Sequence, residues 1–237
     1  MNNLLITGSS RGIGRSVFET TDKSLYSNII LLDKNEITSE NNQEMSFKCD
    51  ITNQDEVENI FKLLERKGIL ITHAVNCAGI PGPSKTFHET SVEDFDKVIN
   101  VNLRGTFIML KNQIDHMFKA KKGKIVNIAS VLGSCGLEGS APYGSTKAGI
   151  VSLTKHLAIE YAQKNISINC ISPGGVDTDL ILDLKNTIGI KSLESIHPVK
   201  RIATPDEIAI YVKFLLEKAT SFMTGSEIFI DGGYSAK

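Results

Sequence analysis

The 237-residue chain lacks the sequence features of disulfide-rich, metal-binding, nucleic-acid-binding and membrane-spanning proteins. Its four cysteines have no C-x-x-C spacing, which argues against disulfides or a metal site and favours small thiols in a reducing compartment. Its 26 basic and 27 acidic residues leave a formal net charge of -1, so no overall field attracts nucleic acid or an anionic membrane. The cysteines are Cys49, Cys77, Cys135 and Cys170.

Long hydrophobic runs are also missing. No apolar run approaches the roughly 18 residues needed to cross a bilayer, and the first strand follows Met1-Asn2-Asn3 too closely to leave room for a signal peptide. We therefore expect a cytoplasmic protein with no membrane partner and no metal. A hydrophobic content of 41% and a charged content of 22% are ordinary for a folded protein, predicted here as a single domain over 1–237.

Short apolar segments alternate with segments of helical period along the chain. This alternation predicts an α/β fold, a single Rossmann-type doubly wound parallel sheet of about seven strands with helices on both faces. Ligands of such sheets bind beyond the carboxyl ends of the strands. The residues predicted at those ends are Gly8, Asp33, Asp50, Asn76, Ser130 and Pro173.

Three segments carry further local signals. Ser91 opens a long segment of helical period, and Thr204 is predicted as the N-cap of a last helix that starts at Pro205. The more polar region 178–201 is expected to be a mobile cover over the ligand.

A glycine-rich turn follows the first strand directly. Gly8, Gly12 and Gly14 stand between Thr7 and a segment of helical period. Glycine lets the backbone approach a ligand closely, and the first turn of a helix offers unpaired N–H groups to a pyrophosphate. Strand, turn and helix in this order predict a dinucleotide-binding site.

The second strand ends in Asp33, about 20 residues beyond the last glycine of the turn. A carboxylate there can accept hydrogen bonds from both hydroxyls of an adenosine ribose, and it would repel the 2′-phosphate of NADP. Arg11 and Lys34 argue the other way, since either side chain could hold that phosphate. We weight Asp33 more strongly and predict NAD as the cofactor, with NADP as the alternative.

Residues 130–147 supply the candidate chemistry. Ser130 follows an apolar strand, and Tyr143 and Lys147 stand four residues apart, so their side chains share one helix face. Bringing a tyrosine pKa from about 10 to neutrality takes roughly 4 kcal/mol, and an ammonium group about 4 Å away supplies roughly that much at an effective dielectric constant near 20. Lys147 is therefore predicted to lower the pKa of Tyr143, while the Ser130 hydroxyl polarises a substrate carbonyl.

Together these motifs resemble the short-chain dehydrogenase/reductase family over essentially the whole chain. Cys77 departs from that family, which commonly has a second asparagine there, so we expect altered local hydrogen bonding without loss of cofactor binding. The matching residues are Thr7-Gly8-x-x-x-Gly12-x-Gly14, Asn76-x-Ala78-Gly79, Asn102, Ser130, Tyr143-x-x-x-Lys147, Pro173-Gly174 and Asp231-Gly232-Gly233.

The resemblance implies a role for each catalytic residue. Tyr143 would be the general acid for ketone reduction and the general base for alcohol oxidation, and Ser130 would orient the carbonyl. Lys147 would also bind the nicotinamide ribose. Asn102 would hold a water that relays protons to Lys147.

The resemblance likewise implies the cofactor contacts. Asp50 and Ile51 would flank the adenine, and Thr178 would contact the nicotinamide carboxamide. The full set implied to bind the cofactor is Gly8, Ser10, Arg11, Gly12, Ile13, Gly14, Asp33, Asp50, Ile51, Asn76, Ala78, Gly79, Tyr143, Lys147, Pro173, Gly174, Val176 and Thr178.

The leading hypothesis is an oxidoreductase that transfers a hydride between NAD(H) and a small-molecule secondary alcohol or its ketone. One alternative is an NADPH-dependent 3-oxoacyl-[acyl-carrier-protein] reductase, which the later half of the chain resembles. Another is a non-catalytic dinucleotide-binding sensor or scaffold, since a fold does not dictate a function. By analogy with the family we expect a homo-oligomer, a tetramer or a dimer.

Overall fold

A computed structural model of the chain describes residues 1–38, 41–182 and 189–236. Within these ranges it contains seven strands: β1 Asn3–Thr7, β2 Asn28–Asp33, β3 Glu44–Lys48, β4 His73–Asn76, β5 Gly123–Ile128, β6 Ile166–Pro173 and β7 Glu227–Ile230. All neighbouring pairs are parallel, in the order β3-β2-β1-β4-β5-β6-β7. The predicted parallel sheet of about seven strands is confirmed.

The α-helices of the described residues are α1 Gly12–Thr20, α2 Gln54–Arg66, α3 Val92–Val98, α4 Thr106–Ala120, α5 Ala141–Tyr161, α6 Ile190–Ser195 and α7 Pro205–Lys213. A π-helical segment, Ile99–Gly105, joins α3 to α4 without a break. The long helix predicted from Ser91 is therefore present, with Ser91 as its N-cap, but its middle is more loosely wound than an α-helix.

The region predicted to be a mobile cover contains helix α6. Part of that region, 183–188, lies outside the described residues. The described part of the predicted cover is therefore folded against the rest of the protein, as the buried side chain of Leu193 indicates.

Successive residues of each strand point to opposite sides of the sheet, so both faces carry apolar side chains. Helices cover both of these faces. On one face, Leu5 and Ile30 are fully buried against side chains of α2, α4 and α5. On the other face, Leu4 and Ile29 are fully buried against α1 and α7. The predicted doubly wound arrangement is thus confirmed, with one apolar core on each side of the sheet.

The order of the strands fixes where a ligand can bind. β2 and β3 lie on one side of β1, whereas β4 to β7 lie on the other. The crevice outside the carboxyl ends of the strands at such a reversal is the usual ligand site of doubly wound sheets. Thr7 and Asn76, at the ends of β1 and β4, are paired in register at this point.

The start of α7 has the predicted cap. The Thr204 hydroxyl accepts a hydrogen bond from the Glu207 N–H at 3.3 Å, and the Glu207 carboxylate accepts one from the Thr204 N–H at 2.9 Å. Pro205 occupies the first helical position. The hydroxyl of Ser16 in α1 donates to the carboxylate of Asp206 at 2.6 Å, which ties the two helices together.

Two further expectations concern what the sequence lacks. All four cysteines are free thiols, and two of them, Cys49 and Cys170, are buried. Across the described ranges, none of the helices combines the length and apolar character that spanning a bilayer would take.

Candidate active site

A cleft of about 640 Å³ opens at the carboxyl edge of the sheet. Its walls come from the turn after β1, from the ends of other strands and from the start of α5. The predicted site residues that line it are Gly8, Arg11, Gly12, Ile13, Gly14, Asp33, Asp50, Ile51, Ala78, Gly79, Ser130, Tyr143, Lys147, Pro173, Gly174, Val176 and Thr178. Ser10, Asn76 and Asn102 are not among the lining residues.

The turn between β1 and α1 needs glycine at two positions. Gly8 has a φ of 66°, and a Cβ there would lie 2.8 Å from the backbone nitrogen of Ala78. A Cβ on Gly14 would lie 2.2 Å from the carbonyl oxygen of Gly8. A side chain at either position would push the turn out of place, so the glycines keep the backbone close to the cleft.

Ser10 and Asp33 connect this turn to the end of β2. The Ser10 backbone N–H donates to Asp33 Oδ2 at 3.0 Å, and the Asn35 N–H donates to Asp33 Oδ1 at 2.9 Å. The Ser10 hydroxyl oxygen is buried and has no hydrogen-bond partner among the described residues. Buried polar groups are nearly always paired, so this hydroxyl at the start of α1 fits a ligand with acceptor oxygens, such as a phosphate.

Both basic residues that favoured NADP are paired with carboxylates. Lys34 Nζ lies 2.9 Å from Asp50 Oδ2, and this contact raises the pKa of Lys34. Arg11 Nη1 lies 3.0 Å from Asp179 Oδ2 across the mouth of the cleft. Both cations therefore have a carboxylate partner, in ion pairs that are largely exposed to solvent.

Ser130, Tyr143 and Lys147 meet in the cleft because α5 packs beside the end of β5. Ser130 Oγ accepts a hydrogen bond from the Leu132 N–H at 3.2 Å, and the Ser130 side chain is also hydrogen-bonded to Tyr143. Lys147 Nζ donates to the carbonyl oxygen of Ile128 at 2.8 Å and lies 5.5 Å from the centre of the Tyr143 ring. The three side chains chosen from the sequence thus share one site.

Burial dominates the acid–base properties of this site. It raises the pKa of Tyr143 to about 12, against the opposing effect of the hydrogen bond to Ser130. It lowers the pKa of Lys147 to about 8. The net pKa of Tyr143 is therefore raised where the sequence predicted a lowering, because removal from water penalises the phenolate, and the Lys147 ammonium group, which donates to the carbonyl of Ile128, does not reverse that effect.

Asn102 supports the cleft from behind. It lies in the π-helical segment and is fully buried. Its Oδ1 accepts from the Ile80 N–H at 2.8 Å, and its Nδ2 donates to the Ile80 carbonyl at 3.0 Å and to Thr146 Oγ1 at 3.3 Å. Asn102 therefore fixes the loop after β4 against α5, one residue from Lys147; its role in a proton relay stays a prediction.

Asn76, a predicted cofactor contact, has its side chain hydrogen-bonded in the protein interior. Its amide nitrogen donates to Gln113 Oε1 at 3.0 Å and to Asn127 Oδ1 at 2.8 Å, and its amide oxygen accepts from Gln113 Nε2 at 2.8 Å. The side chain points into the interior, where it makes three hydrogen bonds to two side chains. The cleft is lined at this level by Cys77 and Ala78, whose N–H groups both donate to Thr7 Oγ1.

The far end of the cleft contains residues that the sequence motifs did not identify. Tyr234 directly follows the Asp231-Gly232-Gly233 motif, so that motif could have drawn attention to it. The others belong to no recognisable pattern. These additional lining residues include Leu137, Leu193, His197 and Tyr234.

Comparisons with known proteins extend over the whole chain. A family model described as "Enoyl-(Acyl carrier protein) reductase" matches residues 11–235. The 3-oxoacyl-[acyl-carrier-protein] reductase FabG of Aquifex aeolicus is 35% identical over 242 residues, covering 97% of this chain and 95% of that protein. The solved structure "ElxO with NADP Bound" has a TM-score of 0.90 at 33% identity, covering 100% of this chain and 99% of that chain. The structure of 4-hydroxyisoleucine dehydrogenase complexed with NADH has a TM-score of 0.91 at 29% identity, with 100% of both chains covered.

Proposed function

The chain belongs to the short-chain dehydrogenase/reductase family, and from that premise we propose that it transfers a hydride between NAD(H) and a secondary alcohol or its ketone. Relatives that match nearly its full length are named as dehydrogenases and reductases, so it is an enzyme acting on CH–OH or keto groups. The observation that carries the proposal is that Ser130, Tyr143 and Lys147 line the same cleft as the glycine-rich turn.

The residues of the cleft fit a nicotinamide dinucleotide. The unpaired Ser10 hydroxyl and the start of α1 suit its pyrophosphate, and the Asp33 carboxylate suits its adenosine ribose. When bound, the nicotinamide ring supplies the hydride acceptor or donor.

Tyr143 holds and moves the proton. Because its pKa is raised to about 12, the phenol is protonated at neutral pH and can donate to the oxygen of a ketone. The Ser130 hydroxyl, hydrogen-bonded to Tyr143, provides a second polar group at the same substrate oxygen. Lys147 stabilises the negative charge left on the phenol oxygen once the proton has gone.

Asp33 supports NAD over NADP. A 2′-phosphate beside this carboxylate would meet like charge, and Arg11 and Lys34 each already contact a carboxylate. The proteins with similar structures include one with NADP and one with NADH bound, so this preference rests on the residues of this chain alone.

A second candidate function is an NADPH-dependent 3-oxoacyl-[acyl-carrier-protein] reductase. It is favoured by the 35% identity to the enzyme of that name from Aquifex aeolicus. The two functions differ in cofactor and in substrate, so kinetics with NADH and NADPH on a 3-oxoacyl thioester and on a simple ketone separates them.

The proposed role of Tyr143 is tested by Tyr143→Phe, which removes only the phenolic oxygen. We expect turnover to fall by at least about 100-fold, in line with the loss of a general acid, while NADH still binds in a fluorescence titration. The matched control is Tyr211→Phe, which removes the same atom from a side chain of α7 that is 43% exposed. Near-normal turnover in Tyr143→Phe would rule out the phenol as proton donor.

Self-association is also proposed. Large apolar side chains are exposed on the two long helices that cover one face of the sheet, notably Phe107 and Phe118 of α4 and Ile159 of α5. Exposed apolar surface of this kind is typical of interaction sites. We propose that a second copy of the chain covers these side chains in a homo-oligomer.

A further inference from the structure

The far end of the cleft, beyond Tyr143, is enclosed by segments from distant parts of the chain. A Cβ on Gly82 would lie 3.1 Å from the Cβ of Tyr143, so the loop after β4 forms one wall. The Tyr234 hydroxyl donates to the carbonyl oxygen of Gly136 at 3.4 Å, which joins the C-terminal segment to the segment after Ser130. Helix α6 contributes Leu193 to the same space.

The side chains that line this far end are mainly apolar. They come from the loop after β4, the segment after β5, the segment after Thr178 and helix α6. The chief members are Ile80, Leu132, Leu137, Leu180, Ile181 and Leu193.

His197 also lies here, but both nitrogens of its ring already have hydrogen-bond partners within the protein. Its Nε2 accepts a hydrogen bond from the Gly175 N–H at 2.9 Å, and its Nδ1 lies 2.9 Å from the carbonyl oxygen of Leu193. Since Nε2 accepts from the Gly175 N–H, the hydrogen of the ring is on Nδ1 and faces the carbonyl oxygen of Leu193. His197 therefore links α6 to the end of β6, with both ring nitrogens paired within the protein.

Most of the charged residues that line the cleft lie elsewhere. Arg11 of the glycine turn pairs with Asp179, which follows Thr178, and Lys34 pairs with Asp50 near the ends of β2 and β3. Lys147 donates to the carbonyl of Ile128, and the remaining cation, Lys97, belongs to α3. Among the described lining residues of the far-end segments, Asp179 is the single charged side chain, and its carboxylate is paired with Arg11.

We propose that the substrate is a neutral, largely apolar secondary alcohol or ketone whose alkyl or cycloalkyl group fills this far end. A carboxylate or phosphate would lose its hydration there without meeting a cation among the residues that the structure describes, and a sugar would leave several hydroxyls unpaired. This inference deepens the proposed function and rests on it.

The first test compares alcohols with NAD⁺ at one pH. 2-Pentanol and 3-hydroxybutyrate have nearly the same shape but differ in charge, so they form a matched pair. We expect kcat/KM for 3-hydroxybutyrate to be at least about 100-fold lower, because its carboxylate would be buried unpaired. From 2-butanol to 2-hexanol, kcat/KM should rise roughly fourfold per added methylene. Glucose should be turned over more slowly than cyclohexanol.

The second test puts a cation into the far end. In Leu137→Arg, a half-buried leucine of the lining becomes charged, and the ratio of kcat/KM for 2-pentanol to that for 3-hydroxybutyrate should fall by roughly tenfold. Ile181→Arg, also half-buried, repeats the test independently if Leu137→Arg does not fold. Leu25→Arg, a leucine outside the cleft, is the matched control and should leave the ratio unchanged.

The outcomes separate this inference from the function on which it depends. Faster turnover of 3-hydroxybutyrate or glucose than of their apolar counterparts would overturn the substrate class and leave the hydride transfer intact. An unchanged ratio in both arginine variants would also overturn it. Failure to oxidise any alcohol of the panel, or to reduce the corresponding ketones with NADH, would overturn the proposed function and this inference with it.

Discussion

Tyr143 and Lys147 set the pH dependence of the proposed reaction. Reduction needs the protonated phenol, which persists below its pKa of about 12. Oxidation needs the phenolate, so its kcat/KM should rise with pH by up to about tenfold per unit. Above a pH of about 8 the Lys147 amine loses its charge, and the phenolate loses its stabilising cation. We therefore expect the oxidation profile to rise below pH 8 and to flatten above it, with little change in reduction below pH 8.

Steady-state profiles in both directions check this expectation. Lys147→Met should lower oxidation and remove the change of slope near pH 8, because no amine is left to titrate. An oxidation rate that stays constant from acid to alkaline pH would contradict the assignment of the phenol as the base.

The proposed preference for NAD depends on a single charge, the carboxylate of Asp33. Asp33→Asn keeps the size of the side chain but removes the repulsion of a 2′-phosphate. We expect the ratio of kcat/KM for NADH to that for NADPH to fall by roughly tenfold, which corresponds to about 1.4 kcal/mol. Glu36→Gln, a nearby exposed carboxylate, is the control and should change the ratio little. A wild-type enzyme that prefers NADPH would already contradict the role given to Asp33.

Residues of the candidate site could be predicted from the sequence only where the proposed reaction requires a particular residue type at a particular spacing. Tyr143 and Lys147 satisfy that condition, as does Ser130 at the end of β5. The direction of the Tyr143 pKa could not be found, because burial is set by packing around the whole cleft. Leu137 and His197 could not be found either, since apolar and structural positions tolerate many side chains.

At the scale of the element, the start of α7 offers a clean test of local stability. Thr204→Ala removes the hydroxyl that accepts from the Glu207 N–H and should lower the free energy of unfolding by about 1 kcal/mol. Thr204→Ser keeps the hydroxyl and should restore most of the loss. Urea unfolding followed by circular dichroism measures both, and kcat should stay unchanged because Thr204 does not line the cleft. Equal destabilisation by both substitutions would argue against the cap.

Helix and strand positions followed from apolar periodicity, but two details within elements did not. Asn76 ends β4 with its side chain paired to Gln113 and Asn127, which depends on how α4 and β5 lie beside it. The π-helical segment Ile99–Gly105 has the same apolar spacing as an α-helix would have over so short a stretch. Contacts between elements, absent from local sequence, decide both.

At the scale of the whole molecule, the proposed self-association can be measured directly. Light scattering after gel filtration should give at least twice the mass of one chain. The double substitution Phe107→Glu and Ile159→Glu places charges on the outer faces of α4 and α5, so the mass should fall. Leu25→Glu, on another part of the surface, should leave it unchanged. A wild-type chain with the mass of one copy would refute the oligomer.

The architecture of the whole molecule was the most predictable part. A parallel sheet covered on both faces follows from alternating strands and helices, and its ligand edge follows from the carboxyl ends of the strands. The shape of the substrate space was not predictable, because Leu137, Leu193 and Tyr234 are brought together only by the closed fold.

The π-helical segment that carries Asn102 limits how a more thermostable enzyme can be engineered. Loss of one residue between Ile99 and Gly105 would restore regular winding, and it would also displace the Asn102 side chain, whose hydrogen bonds to Ile80 and Thr146 hold the loop after β4 against α5. A library selected for heat resistance alone would favour such deletions at the expense of turnover. Substitutions intended to raise thermostability are therefore better placed at surface positions remote from this segment.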